Sequence, residues 1–148
     1  MYERINLSSG ARSLLPAGGC EIGPRPIDLH LKGLKKMGAR IQDIQRGSIY
    51  CKAERLEGCE VQLDYPSVGA TENLMLSSVF AKGETKIHNA AKEPEILDLQ
   101  KFLRRMGVNI SGAGSNTIVI HGQDKKLNNA EHEVIPDRIV AGTYMVAA

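Results

Sequence analysis

The chain has 148 residues, a length that ordinarily gives one compact domain with a real core, and its 42% hydrophobic and 24% charged residues are those of a globular protein. Net charge is only +2, with 19 Lys/Arg scattered among 17 Asp/Glu and no basic stripe with interleaved aromatics, which argues against nucleic-acid binding. No apolar run reaches the ~18 residues of a membrane span, and residues 1–13 hold no apolar signal core, so no membrane partner and a cytoplasmic location are expected.

In chain order, residues 12–15 read as a short extended piece. A Gly- and Pro-rich loop around Cys20 follows. Pro26 suits the first turn of a helix, with Ile27, Leu31, Leu34 and Met37 as its apolar face and Gly38 as its stop. Strands are predicted over 40–46 and 49–53 with a turn at Arg46-Gly47-Ser48, and a third over 60–65. A second helix over 68–82 follows Pro66, with Leu74, Met75, Val79 and Phe80 facing inward. After a short strand at 85–88, Pro94 opens a third helix to Met106 with Ile96, Leu99, Phe102 and Leu103 inward. Strands at 108–111, 117–121 and 133–135 lead to a last helix from Asp137.

This order repeats. Leu34, Met37, Gly38 and Ile41 match Leu103, Met106, Gly107 and Ile110 at a spacing of 69 residues, and Ile49 matches Ile118. Tyr65-Pro66 matches Ile135-Pro136 at 70, and Gly69-Ala70-Thr71 answers Gly142-Thr143-Tyr144. Such units exceed the ~20–50-residue periods of solenoids, so pseudo-symmetric copies of small sheets packed around paired helices are expected.

Three cysteines, an odd number without CxxC spacing, argue against a zinc site or a disulfide framework, and no cofactor is indicated. Cys51 and Cys59 sit in strand-like settings and read as structural. Cys20 is different, because its flanking glycines provide no core packing. A thiol titrates near ~8.5, and nearby Arg25 and a helix N-terminus lower that value. Arg25 reads either as a surface arginine or as an anion contact. Asp28 is equally a first-turn carboxylate favoured by the helix dipole. Ser67 reads as an N-cap, and the free N–H groups at Ser67, Val68 and Gly69 also suit a diphosphate; both can hold. Glu93 and Glu95 read as ordinary helix-start carboxylates.

Four segments carry a family resemblance: Pro16 to His30 around Gly18-Gly19-Cys20, Asp64-Tyr65-Pro66-Ser67-Val68-Gly69-Ala70-Thr71, Asn89-Ala90-Ala91-Lys92-Glu93-Pro94-Glu95-Ile96, and Ile135 to Thr143. In order and spacing these resemble the UDP-N-acetylglucosamine enolpyruvyl transferases, which share a fold with the EPSP synthases. The resemblance implies an α+β fold, the inside-out α/β barrel built from repeated βαβαββ units, with about two repeats of the first domain present. It implies that residues 1–14 lie outside the match, 15–136 form part of the first domain, and 137–148 begin the second. It implies transfer of the enolpyruvyl group from phosphoenolpyruvate to the 3′-hydroxyl of UDP-N-acetylglucosamine in peptidoglycan synthesis. Cys20 and Arg25 are the implied catalytic residues, with Cys20 the target of fosfomycin. Arg25, Pro26, Ile27, Asp28, Leu29, His30, Tyr65, Pro66, Ser67, Val68, Gly69, Asp137 and Arg138 are the implied substrate contacts.

The sequence departs from the pattern at Ala17, between Pro16 and the double glycine, and at Tyr65, where some relatives carry lysine. It has no match to the family's N-terminal Lys-Asn pair, upstream arginine or second-domain aspartate base. The 148 residues are therefore expected to be inactive alone and, with faces left uncovered, to self-associate. A non-catalytic UDP-sugar-binding module and a merely structural domain are the alternatives.

Overall fold

The computed structural model describes residues 12–14, 27–44 and 48–148. In order they form β1 (Arg12–Leu14), α1 (Asp28–Lys36), β2 (Arg40–Ile44), β3 (Ser48–Lys52), β4 (Glu60–Gln62), α2 (Val68–Ser78), β5 (Glu84–His88), α3 (Pro94–Arg105), β6 (Asn109–Ser111), β7 (Thr117–His121) and α4 (Arg138–Ala147). Two sheets result, one ordered β1-β3-β2 and the other β4-β5-β7-β6. Within the second, β4 runs parallel to β5 across the α2 crossover, while β7 is antiparallel to both β5 and β6. The run β4-α2-β5-α3-β6-β7 is thus one complete βαβαββ unit, and β1-α1-β2-β3 repeats its latter part.

The repeat holds down to register. Ile41 opposes Cys51 and Gln42 opposes Tyr50; 69 residues on, Ile110 opposes Ile120 and Ser111 opposes Val119. Both preceding helices end alike. Gly38 and Gly107 lie at φ 92° and 93°, a left-handed conformation that L side chains adopt only with strain. There Ala39 N donates to Leu34 O, and Val108 N donates to Leu103 O. The helix starts correspond at a spacing of 70, with Ser67 and Asp137 as their caps. That spacing sets Gly69 opposite Ile139, so the glycine match of Gly69 with Gly142 is out of register by three.

Strand alternation builds the core. Val61, Thr85, Ile87, Ile110, Ile118 and Ile120 point inward, whereas Glu60, Gln62, Glu84 and His121 face solvent. Leu74 and Met75 of α2 are fully buried between the sheet and the flanking helices. Thr71 is also buried, and its hydroxyl accepts from Ala91 N at 3.1 Å.

Several sequence expectations need correcting. The inner face of α1 is Leu29, Gly33 and Leu34, continued by Met37, while Ile27 and Leu31 are only half-buried. Gly33 is the reason: a Cβ there would lie 2.5 Å from Leu74 Cδ2, so the two helices touch along this glycine. Helix α2 stops at Ser78, not at Lys82, and Phe80 is 50% exposed. Beyond Ser78 tertiary partners take over the backbone, with Gln123 N donating to Val79 O and Lys82 N to Leu56 O. On α3, Asp98 and Gln100 are buried alongside Ile96 and Leu103, while Leu99 packs half-buried against the core and Phe102 is half-buried. Asp98 accepts from His132 Nε2 at 2.9 Å, and Gln100 Oε1 accepts from Ala113 N at 3.0 Å. Residues 133–135 form no strand. At the spacing of 70 they correspond to residues 63–65, which also lie outside β4, and no strand follows α4 among the described residues to pair with the stretch that matches β4.

Candidate functional site

The local sequence builds one surface from two helices. Ser67 caps α2, its Oγ accepting from Ala70 N at 3.4 Å. The N–H groups of Val68 and Gly69 open the helix, where no intrahelical acceptor exists for them. Because Gly33 lets α1 pack close, His30 reaches this end of α2. Its Cε1 and Nε2 would stand 3.5 and 3.7 Å from a Cβ on Gly69. One turn further along α2, Asn73 Nδ2 lies 3.1 Å from His30 Nδ1. A neutral ring accepting at Nδ1 carries its proton on Nε2, the nitrogen nearer Gly69. Burial pushes the pKa of His30 below the ordinary 6.5, and the Asp28 carboxylate only partly opposes this. The imidazole is therefore neutral near pH 7.

The structure thus brings His30 together with Gly69, in the turn opened by Ser67 and Val68. Asp28 is exposed at the first position of α1, Ile27 is the residue preceding that helix, and Leu29 is core. Tyr65 is 48% exposed. Pro66 borders an open cavity of about 430 Å³ that Asn89, Lys92, Glu93 and Asn116 also line, at the carboxyl ends of the parallel strands β4 and β5. Cys20, Arg25 and Pro26 lie outside the described residues.

Asp137 and Arg138 occupy a different place. The Asp137 carboxylate caps α4, accepting from Ile139 N at 2.8 Å and Val140 N at 3.1 Å. Arg138 is held by Glu95, with Nε and Nη2 donating to the two carboxylate oxygens at 3.2 and 2.9 Å. That bidentate grip holds the Glu95 carboxyl below the usual range. Glu72, half-buried on α2, moves the other way, raised first by burial and then by Glu95.

Two residues, Asn73 and Lys32, and the partner of a third, Glu95, were not evident from the sequence. Asn73 was findable, since it lies four residues after Gly69 on the same helical face. Lys32, whose Nζ grips Asp64, and Glu95, which grips Arg138, meet residues too distant in sequence for any local pattern to pair them. Of the two cysteines read as structural, Cys51 is buried in β3 and Cys59 is half-buried just before β4, and burial pushes both thiols up, with Lys36 opposing it at Cys59. Among the described residues no group of three His, Cys, Asp or Glu could hold a metal ion. No helix among them is long and apolar enough to cross a membrane.

Residues 4–148 match the family described as EPSP synthase (3-phosphoshikimate 1-carboxyvinyltransferase). The chain is 63% identical over 131 residues to UDP-N-acetylglucosamine 1-carboxyvinyltransferase 2 of Caldanaerobacter subterraneus subsp. tengcongensis, covering 88% of this chain and 31% of the relative. It is 56% identical over 138 residues to UDP-N-acetylglucosamine 1-carboxyvinyltransferase of Halothermothrix orenii, covering 93% of this chain and 32% of the relative. Among solved structures it resembles the enolpyruvyl transferase NikO from Streptomyces tendae, with TM-score 0.64 and 27% identity over 77% of this chain and 27% of that one. It also resembles EPSP synthase from Acinetobacter baumannii, with TM-score 0.63 and 26% identity over 82% of this chain and 27% of that one. The chain spans about a third of the length of the curated relatives it matches.

Proposed function

Because the chain belongs to the EPSP synthase (3-phosphoshikimate 1-carboxyvinyltransferase) family and has the enolpyruvyl transferase fold, we propose that it forms part of a cytoplasmic enzyme moving the enolpyruvyl group of phosphoenolpyruvate to the 3′-hydroxyl of UDP-N-acetylglucosamine, for peptidoglycan synthesis. In that reaction carbon 3 of phosphoenolpyruvate gains a proton as the sugar hydroxyl oxygen bonds to carbon 2 and gives its own proton to a base. A proton then leaves carbon 3, and the bond from carbon 2 to the phosphate oxygen breaks. Cys20 supplies the first proton in this reading and is the group fosfomycin attacks; Arg25 steadies the substrate anions.

The part offered here is the nucleotide-sugar surface. Residues 27–30 face the uridine, and the first turn of α2, from Ser67 to Gly69, takes the diphosphate. The packing of His30 on Gly69 carries this reading, because it unites the two candidate segments on one surface. Tyr65 and Pro66 flank that turn, and Asp137 and Arg138 border the cleft where the second domain begins. The 148 residues contain no match to the family's aspartate base, and losing one pre-organised contact typically costs ~10²–10³ in rate. Alone they bind without turning over, and the bare face of α4 makes them self-associate.

Calorimetry with UDP-N-acetylglucosamine, alongside phosphate release measured against a Cys20→Ala blank, tests the proposal. Saturable heat without Cys20-dependent phosphate release is expected. No heat would leave only a structural domain. Release at an ordinary enzymatic rate would show that the site is complete within these residues.

A further inference from the structure

An exposed ion pair sits beside the helix end just assigned to a diphosphate. Lys32 Nζ lies 2.6 Å from Asp64 Oδ1 and 2.8 Å from Oδ2, joining α1 to the loop between β4 and α2. Both side chains are more than half exposed, at 57% and 55%, so the pair contributes little to folding. Its electrostatic position matters more. Asp64 stands three residues before the cap Ser67, a stretch that spans at most about 11 Å of chain. Over a separation of that order, comparable to the Debye length of about 8–10 Å, the Asp64 charge is weakened by salt but still felt at the first turn of α2. Asp28 opens α1 and Glu72 stands early in α2, Lys35 and Lys36 lie in the last turn of α1, and the first turn of α2 holds no basic residue. Left unpaired, Asp64 would repel the ligand that the helix N-terminus attracts.

We propose that Lys32 is a positioning residue that neutralises Asp64, so that the start of α2 can hold the diphosphate of a nucleotide sugar. This rests on the assignment of that diphosphate to Ser67–Gly69. Lys32 acts here through Asp64 and need not touch phosphate.

The test titrates the 148-residue chain with UDP and with uridine by calorimetry, comparing wild type with Lys32→Ala, Lys32→Arg and Asp64→Asn variants and with the double variant Lys32→Ala/Asp64→Asn. From one unit charge at roughly 10 Å, Lys32→Ala should weaken UDP about three- to tenfold. Lys32→Arg should retain the affinity, and the double variant should recover it. Uridine, which lacks the charge, should bind all variants alike. UDP binding by Lys32→Ala equal to wild type overturns the proposal. So does a double variant as weak as Lys32→Ala, since Lys32 would then act on the ligand directly. If wild type binds neither UDP nor uridine, the nucleotide-site assignment falls and this inference with it. Far-UV circular dichroism of each variant checks that an exposed substitution has left the fold unchanged.

Discussion

His30 shows how a single side chain joins stability to the site. Its ring is half-buried between α1 and α2, accepts from Asn73 when neutral, and has its pKa pushed down by burial. The unfolded chain, with an ordinary histidine, binds this proton more readily than the folded one. Stability from His30 is therefore fully present above about pH 6.5 and is lost as pH falls through the lower folded value. Urea unfolding of wild type and His30→Gln at several pH values between 7.5 and 5 checks this. Wild type should lose more stability than the variant over that range, and parallel profiles would remove the effect from His30. The residue was legible in sequence as a candidate, but its environment was not. Nothing near position 30 announces Gly69 or Asn73, because the contact exists only once two helices have docked.

Helices α1 and α2 dock through an absence. Gly33 has no side chain where Leu74 needs the space, and a Cβ there would stand 2.5 to 3.2 Å from three atoms of that leucine. A Gly33→Val substitution must therefore displace either α1 or the fully buried Leu74 side chain. We expect a loss of about 1–3 kcal/mol in urea denaturation, the usual cost of overfilling a packed core. A displaced α1 should also weaken UDP binding by lifting His30 off Gly69. Stability and affinity both unchanged would mean that α1 repacks freely. At this scale the sequence was informative about existence and uneven about faces. The strong periodic helices and the repeat of 69 residues were readable, because glycine stops and apolar spacing are local signals. The inward turn of Asp98 and Gln100 was not, because their partners are His132 and the backbone of Ala113, neither of them a neighbour in sequence.

Among the described helices the least covered is α4. None of its residues is buried, and Ile139, Val140, Tyr144, Met145 and Val146 are between 49% and 90% exposed. At the spacing of 70, Val140, Tyr144 and Met145 correspond to Ala70, Leu74 and Met75, which are fully buried in α2. A helix with core residues and no core drives association. Sedimentation of the 148-residue chain should show concentration-dependent dimers or larger species, and Val140→Glu with Met145→Glu should shift it toward monomer. A clean monomer over a wide concentration range for the unaltered chain would contradict this. The sequence by itself determined the family, the repeat and the type of nearly every element, because motif strings, helix stops and apolar periodicity are written within a few residues of each other. Only the tertiary structure decided which face of α1 turns inward, that residues 133–135 stay out of a sheet, and that Lys32 meets Asp64 and Arg138 meets Glu95. Each of those depends on a partner 30 or more residues away or on a neighbouring strand, and a contact made through space leaves no periodic trace along the chain.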